Sequence, residues 1–216
     1  MTTSFSDSTS CAAILEGLVT QGYIVVPNFY SPEELSELLA VAVERREENQ
    51  FRAAAIGKGQ EAQRKAEIRG DFIYWLSNDD SAPAVRRYWD FIEELRVAMN
   101  RALMLGLFEY EGHFAAYPAG SFYKRHLDCF QDQQRRRVTT ILYLNDQSWS
   151  AEDGGQLRLY TDSKDDSIFL DVLPRGGTFV VFLSDAFPHE VLPTQRERLS
   201  LTGWFCRRPI GNALVF

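Results

Sequence analysis

Three residues in this chain have the types and spacing for metal chemistry: His126 and Asp128, separated only by Leu127, and His189. The chain has three histidines, and two of them fall into a pattern of two imidazoles and one carboxylate. That donor set leaves coordination positions open and suits non-haem Fe(II) in O2 chemistry. Arg198, nine residues beyond His189, would supply a fixed cation for an organic acid bound beside the metal. A guanidinium grips a carboxylate in a two-pronged geometry that lysine cannot copy. The third histidine, His113, lies outside the pattern. Each piece alone has a plainer reading: a structural hydrogen bond for the His-x-Asp pair, an edge histidine for Pro188-His189, a salt bridge or solvated strand end for Arg198. It is their combination within a strand-rich half that points to a metal site.

The elements that must position these side chains follow from hydrophobic periodicity. Residues two apart on a strand face the same way, so His126 and Asp128 would aim together, with Leu127 in the opposite layer. Asp128 and His189 are 61 positions apart, which leaves room for four or five strands between them. From His113 onward, short apolar runs separated by turn residues predict strands over 113–118, 121–127, 137–144, 156–160, 168–173, 178–183, 188–192 and 198–206. On the last of these, Arg198, Ser200, Thr202 and Trp204 share a face. Asp153-Gly154-Gly155 and Arg175-Gly176-Gly177 mark turns.

Upstream, a helix is predicted over 11–20 and an apolar strand over 22–27. A second helix begins at Ser31-Pro32-Glu33-Glu34, where Ser31 and Glu34 can form a capping box, and runs to about residue 48. Residues 51–65 read as a flexible linker, 68–76 alternate like a strand, and 84–105 form a long amphipathic helix. The fold class expected is α+β: a double-stranded β-helix (jelly roll, cupin-like) with N-terminal helices packed on one sheet. The organisation expected is a disordered tail over 1–10, a helical and strand support region over 11–112 with a mobile loop around 51–80, and a jelly-roll core over 113–216, integrated as one domain.

The whole chain bounds the possibilities further. Its 216 residues, 45% hydrophobic and 13% aromatic, suffice for one sizeable core. The net charge of −7 counts against nucleic acid as the main partner, despite local basic spots such as Arg135-Arg136-Arg137. No apolar run is long enough for a membrane helix, and Met1–Ser10 lacks the features of a secretory signal. Cys11, Cys129 and Cys206 are odd in number and widely spaced, so neither a disulfide framework nor a zinc ribbon is indicated, and a cytoplasmic location is expected.

The chain also resembles a known family. Ile68-Arg69-Gly70-Asp71 with Trp75, Tyr117-Pro118, Tyr123-Lys124-Arg125-His126-Leu127-Asp128, Tyr143-Leu144-Asn145, Gly154-Gly155-Gln156-Leu157-Arg158, and Pro188-His189-Glu190-Val191 through Arg198 to Trp204 are similar to segments of the 2-oxoglutarate- and Fe(II)-dependent prolyl hydroxylases. The likeness is to the oxygen-sensing enzymes of animals and their bacterial relatives, and it spans roughly residues 20–206. It implies that His126, Asp128 and His189 hold iron and that Arg198 and Tyr143 bind the distal carboxylate of 2-oxoglutarate. It further implies that Tyr117, Thr202 and Trp204 line the cosubstrate pocket with Ile141 and Val191 as apolar walls. Arg69, Asp71, Trp75, Tyr123 and Arg136 would meet the substrate, the Arg69-Gly70-Asp71 segment within a mobile loop. Read by themselves, Tyr117, Tyr143 and Trp204 could equally be core aromatics, and Arg69 with Asp71 a local ion pair.

The activity implied is O2-dependent hydroxylation of a proline, at C4, in a protein loop, with succinate and CO2 as coproducts and ascorbate as reductant. The bacterial relatives point to elongation factor Tu as the partner. The segment after Asp128, beginning Cys129-Phe130-Gln131, departs from the family and bears on substrate choice. Two other readings stay open: the same iron chemistry on a small molecule such as free proline, and a non-catalytic jelly-roll binding module.

Overall fold

Strand residues of opposite parity face opposite ways, and in this chain that parity divides two hydrophobic cores and one polar pocket. The computed structural model describes residues 8–54, 67–129, 135–162 and 164–208. In chain order the elements are α1 (Ser8–Thr20), β1 (Tyr23–Val26), α2 (Pro32–Glu47), β2 (Arg52–Ala53), β3 (Phe72–Trp75), α3 (Pro83–Leu103), β4 (Leu107–Tyr117), β5 (Tyr123–His126) and β6 (Arg136–Tyr143). They continue with β7 (Leu157–Tyr160), β8 (Phe169–Val172), β9 (Phe179–Leu183), β10 (His189–Val191) and β11 (Arg198–Arg207).

Local chemistry accounts for the helix ends. The Glu34 N–H donates to Ser31 Oγ (3.3 Å), and the Ser31 N–H donates to Glu34 Oε2 (3.1 Å), closing the expected capping box of α2. α3 opens on Pro83 and stops at Met104, whose left-handed backbone (φ 49°) ends the helical path. α1 begins at Ser8, so three residues assigned to a tail belong to a helix; the rest of that tail, 1–7, lies outside the described residues. Part of the expected linker is the short strand β2, and 55–66 lie outside the described residues.

All strand pairs are antiparallel. A seven-stranded sheet has the order β1-β9-β6-β11-β4-β3-β2, and a four-stranded sheet the order β5-β10-β7-β8. β4 to β11 form the double-stranded β-helix, four strands to each sheet. The N-terminal half does more than support it: β1, β2 and β3 extend the larger sheet at both edges.

The central strands of the larger sheet are covered on both faces, and β9 (Phe179–Leu183) is accordingly a continuous apolar run. Val138 and Leu142 of β6, Phe179 and Val181 of β9, and Leu201 and Phe205 of β11 pack with Ile14, Leu38, Tyr88, Phe91, Ile92 and Leu95 of the three helices. Their neighbours of opposite parity, Ile141, Tyr143, Val180 and Phe182, meet Leu157, Leu159 and Val172 of the smaller sheet. Each large aliphatic side chain so buried contributes roughly 1.5–3 kcal/mol. Near one end of the sandwich, polar residues replace this apolar filling.

Candidate metal centre and cosubstrate pocket

The two histidines meet through strand register. β10 pairs with β5 so that His189 lies directly opposite His126, which places both imidazoles on one face with ring centroids 4.3 Å apart. Asp128 reaches the same point by another route. β5 ends at His126, so strand parity does not aim Asp128; the chain bends after Leu127, which is left 39% exposed rather than placed in an opposite layer. The Asp128 carboxylate is fixed from the larger sheet, where the Thr139 hydroxyl of β6 donates to Oδ2 (2.8 Å) and also contacts Ser184 Oγ (2.9 Å).

Donor atoms of His126, Asp128 and His189 all lie within 4.8 Å of one another. His126 Nε2 is 3.6 Å from Asp128 Oδ1, and His189 Nε2 is 3.5 Å from Oδ2. His126 Nδ1 faces the Lys124 carbonyl (2.8 Å) and His189 Nδ1 the Phe187 carbonyl (3.1 Å). A carbonyl only accepts, so each Nδ1 carries the proton and each Nε2 turns a lone pair to the centre. Burial lowers the His189 pKa to about 4 against the opposing pull of Asp128, so the ring is neutral at neutral pH. Burial would raise the Asp128 pKa, but His189 and His126 outweigh it and hold the carboxyl well below its usual range. Two imidazoles and one carboxylate, pre-oriented and facing open space, fit a divalent cation such as Fe(II).

That space is a pocket of about 190 Å³ between the sheets. Arg198 occupies one part of its wall and is 1% exposed. Its Nε donates to the Gly155 carbonyl (2.9 Å), and the guanidinium lies over the rings of Tyr117 (4.9 Å) and Tyr143 (5.0 Å). Gly155 has φ +69°, and a Cβ there would sit 3.1 Å from Arg198 Cδ, so the turn read as Asp153-Gly154-Gly155 is where the arginine gains its room. Arg198 forms no ion pair among the described residues, and the buried Tyr143 side chain lies against it, its hydroxyl interacting with the guanidinium. A buried cation with no anionic partner among the described residues fits an incoming carboxylate.

Thr202, Trp204, Ile141, Val191 and Tyr117 also line the pocket, whereas Tyr143, packed against Arg198, does not. Arg69, Trp75, Tyr123 and Arg136 line it as well. Asp71 does not: it is 2% exposed and accepts a bidentate pair from Arg69 Nε (2.7 Å) and Nη2 (2.6 Å). Arg69 in turn covers the Tyr123 ring (4.3 Å), which stacks on His126 (3.6 Å). The Ile68–Gly70 stretch is bound along the edge of β5, with the Gly70 N–H donating to the Phe122 carbonyl (3.0 Å) and the Lys124 N–H to the Ile68 carbonyl (2.9 Å). Arg136 pairs with Glu111 (2.7 Å) and lies 3.5 Å over the Trp204 ring. Cys129 is a free thiol, half-buried, and the segment 130–134 lies outside the described residues.

Residues that the sequence did not single out complete the site. Thr139 and His113 are inward-facing by strand parity, Thr139 in phase with Ile141 and His113 in phase with Tyr117. Those in-phase neighbours are the signal that could have found them.

The structure is similar to that of a Pseudomonas putida prolyl-4-hydroxylase, with TM-score 0.81, 42% sequence identity, and coverage of 92% of this chain and 99% of that one. The chain belongs to the 2-oxoglutarate- and Fe(II)-dependent prolyl hydroxylase family. The general model of the 2OG-Fe(II) oxygenase superfamily matches residues 112–206, from β4 to the end of the jelly roll. A Trichoplax adhaerens prolyl hydroxylase, solved with a peptide fragment of the hypoxia inducible factor oxygen degradation domain, superimposes with TM-score 0.80 at 26% identity, covering 92% of this hydroxylase-family chain and 89% of that one. The hypoxia-inducible factor prolyl hydroxylase of Caenorhabditis elegans is 31% identical over 204 residues, 89% of this chain. The chain spans 27% of that relative's length. Within the family frame the His126–Asp128–His189 cluster can hold the iron and the Arg198 end of the pocket can take 2-oxoglutarate. No helix among the described residues is long and apolar enough to cross a membrane.

Proposed function

We propose that this chain hydroxylates a prolyl residue in a protein, using 2-oxoglutarate and O2. The observation that carries the proposal is the buried Arg198 guanidinium, without an ion-pair partner among the described residues, facing the same pocket as the His126, Asp128 and His189 donors. When bound, Fe(II) and 2-oxoglutarate supply the oxidising chemistry, with succinate and CO2 as coproducts.

The chain's own residues do the arranging. His126, Asp128 and His189 hold the metal with their Nε2 and carboxylate donors, and Thr139 keeps the carboxylate turned inward. Arg198 binds the far carboxylate of the cosubstrate, and Tyr143 packs against the guanidinium (5.0 Å) and holds it in place. Tyr117, Ile141, Val191 and Trp204 exclude water around it. The substrate side is the remaining wall, where Arg69, Tyr123, Arg136 and the half-exposed Trp75 stand. An indole beside two arginines whose charges are already balanced by Asp71 and Glu111 suits a neutral proline flanked by peptide groups. Elongation factor Tu is the protein to test first, in keeping with the chain's likeness to bacterial prolyl hydroxylases.

The purified chain would be incubated with Fe(II), 2-oxoglutarate, ascorbate and elongation factor Tu, and separately with a cell lysate. Expected are succinate release and an added oxygen atom on one proline by peptide mass spectrometry, both absent with Asp128→Ala. Succinate release driven by free proline, with no oxidised proline in any protein, would replace the protein substrate by the small molecule.

A further inference from the structure

His113 is a buried polar side chain that neither the metal cluster nor the cosubstrate end uses. It sits near the middle of β4, and Glu111, His113 and Tyr117 of that strand all line the pocket. Tyr117 lies against Arg198 at the cosubstrate end (4.9 Å), and Glu111 is ion-paired to Arg136 (2.7 Å) on the substrate side. His113 therefore stands between the two ends, nearer Glu111 in sequence. Register puts it opposite Trp75 of β3 on one side and Thr202 of β11 on the other. Its ring is flanked by the indoles of Trp75 (4.8 Å) and Trp204 (5.3 Å).

The side chain is 3% exposed, and its Nδ1 has no hydrogen-bond partner. Buried polar atoms are seldom left unpaired, because nothing replaces the water they gave up. Burial, reinforced by Arg69 and Arg136, lowers the pKa to about 3, so the ring is neutral at neutral pH with one N–H and one lone pair. Such a ring can donate to a carbonyl or accept from an N–H, the two groups that flank every residue in a peptide. An anionic ligand is a poor match, since the two arginines beside it are already neutralised by Asp71 and Glu111.

We propose that His113 is a specificity-determining residue that hydrogen-bonds the peptide group adjoining the target proline, with Trp75 and Trp204 confining the segment on either side. This rests on the prolyl reading of the site. The contact selects a proline inside a chain over the free amino acid, because only the former brings an uncharged peptide group.

With only three histidines in the chain, 15N-histidine labelling gives a spectrum simple enough to follow each ring. The full chain, loaded with diamagnetic Zn(II) and 2-oxoglutarate, would be titrated with N-acetyl-L-proline N-methylamide and, separately, with L-proline. A saturable change in the His113 ring nitrogens with the amide but not with L-proline is expected. His113→Leu should weaken amide binding about tenfold, the scale of one net hydrogen bond. His113→Gln, which keeps a donor and an acceptor, should recover most of it, and both variants should bind 2-oxoglutarate like the native chain. The assignment is overturned if the His113 resonances ignore the amide, if His113→Leu binds it undiminished, or if the loss falls on 2-oxoglutarate instead. A His113 response without any hydroxyproline formed under Fe(II) and O2 would sink the prolyl reading while supporting the peptide contact.

Discussion

Replacing Arg198 by methionine separates the guanidinium's role in the fold from its role toward a ligand, because the two effects differ in size and can differ in sign. Arg198 is 1% exposed, donates through Nε to one backbone carbonyl, and forms no ion pair among the described residues. In the ligand-free chain methionine removes a desolvated charge, which is often neutral or stabilising, and leaves the Gly155 carbonyl without its donor, which costs about 1 kcal/mol. The net change in stability is therefore expected within about 1 kcal/mol of the native chain. Toward 2-oxoglutarate the change has one direction. Truncating one partner of a buried, hydrogen-bonded charge pair costs about 3 kcal/mol, or about 150-fold in Kd. Thermal unfolding of the Mn(II)-loaded protein reads both effects. With 2-oxoglutarate at about 100 times the native Kd, linkage stabilises the native chain by about 2.7 kcal/mol, which for a chain of this size is a shift of about 5–10 °C in Tm. At the same concentration the methionine variant retains only about 0.3 kcal/mol, a shift of about 1 °C. Arg198→Lys should fall between, since an ammonium keeps the charge but not the fork. A methionine variant whose Tm still rises by several degrees would refute Arg198 as the anchor. A collapse of the ligand-free protein would show that the guanidinium is structural instead.

Thr139→Val removes the hydroxyl that orients Asp128 while keeping the shape of the side chain, so metal affinity should fall about 10–100-fold, as read by Fe(II) titration under anaerobic conditions; unchanged affinity would remove Thr139 from the site. His113 has a folded pKa lowered to about 3 by burial, so between that value and the ordinary 6.5 the unfolded chain binds the extra proton. Its contribution to stability is thus complete above pH 6.5 and is lost as pH falls; at pH 5 the native chain should have lost roughly 2 kcal/mol that His113→Leu does not lose. Urea unfolding of both proteins at pH 7 and pH 5 measures this, and parallel losses would contradict a neutral buried ring. At Gly203 a Cβ would lie 2.1 Å from the Tyr110 hydroxyl, which bonds Tyr88 (2.6 Å) and Thr140 (2.7 Å). Gly203→Ala should therefore destabilise by about 2–3 kcal/mol through overpacking, and a change under about 0.5 kcal/mol in urea unfolding would mean that the network yields freely.

The amino-acid sequence by itself determined more of the fold than of the site. The eight strands of the jelly roll, the capped start of α2 and α3 with its apolar stripe were legible because each rests on local periodicity or on a turn residue with a fixed conformational demand. Residue type and spacing also marked His126, Asp128, His189 and Arg198 as a group. Tertiary structure decided how they meet. His189 faces His126 because antiparallel register between β5 and β10 places it there, a pairing that no local signal encodes. Asp128 turns inward through a bend after β5 and a hydroxyl from β6, where strand alternation alone would have kept it on the strand. The local ion pair that the sequence offered as the plainer reading of Arg69 and Asp71 is what holds Asp71 out of the pocket, whereas His113 emerged between two indoles only in the folded chain. The physical reason is common to the His126–His189 pairing, the Asp128–Thr139 contact and the setting of His113. Periodicity records which face of an element is buried, whereas the partner across a sheet or sandwich is set by long-range packing of elements far apart in the chain.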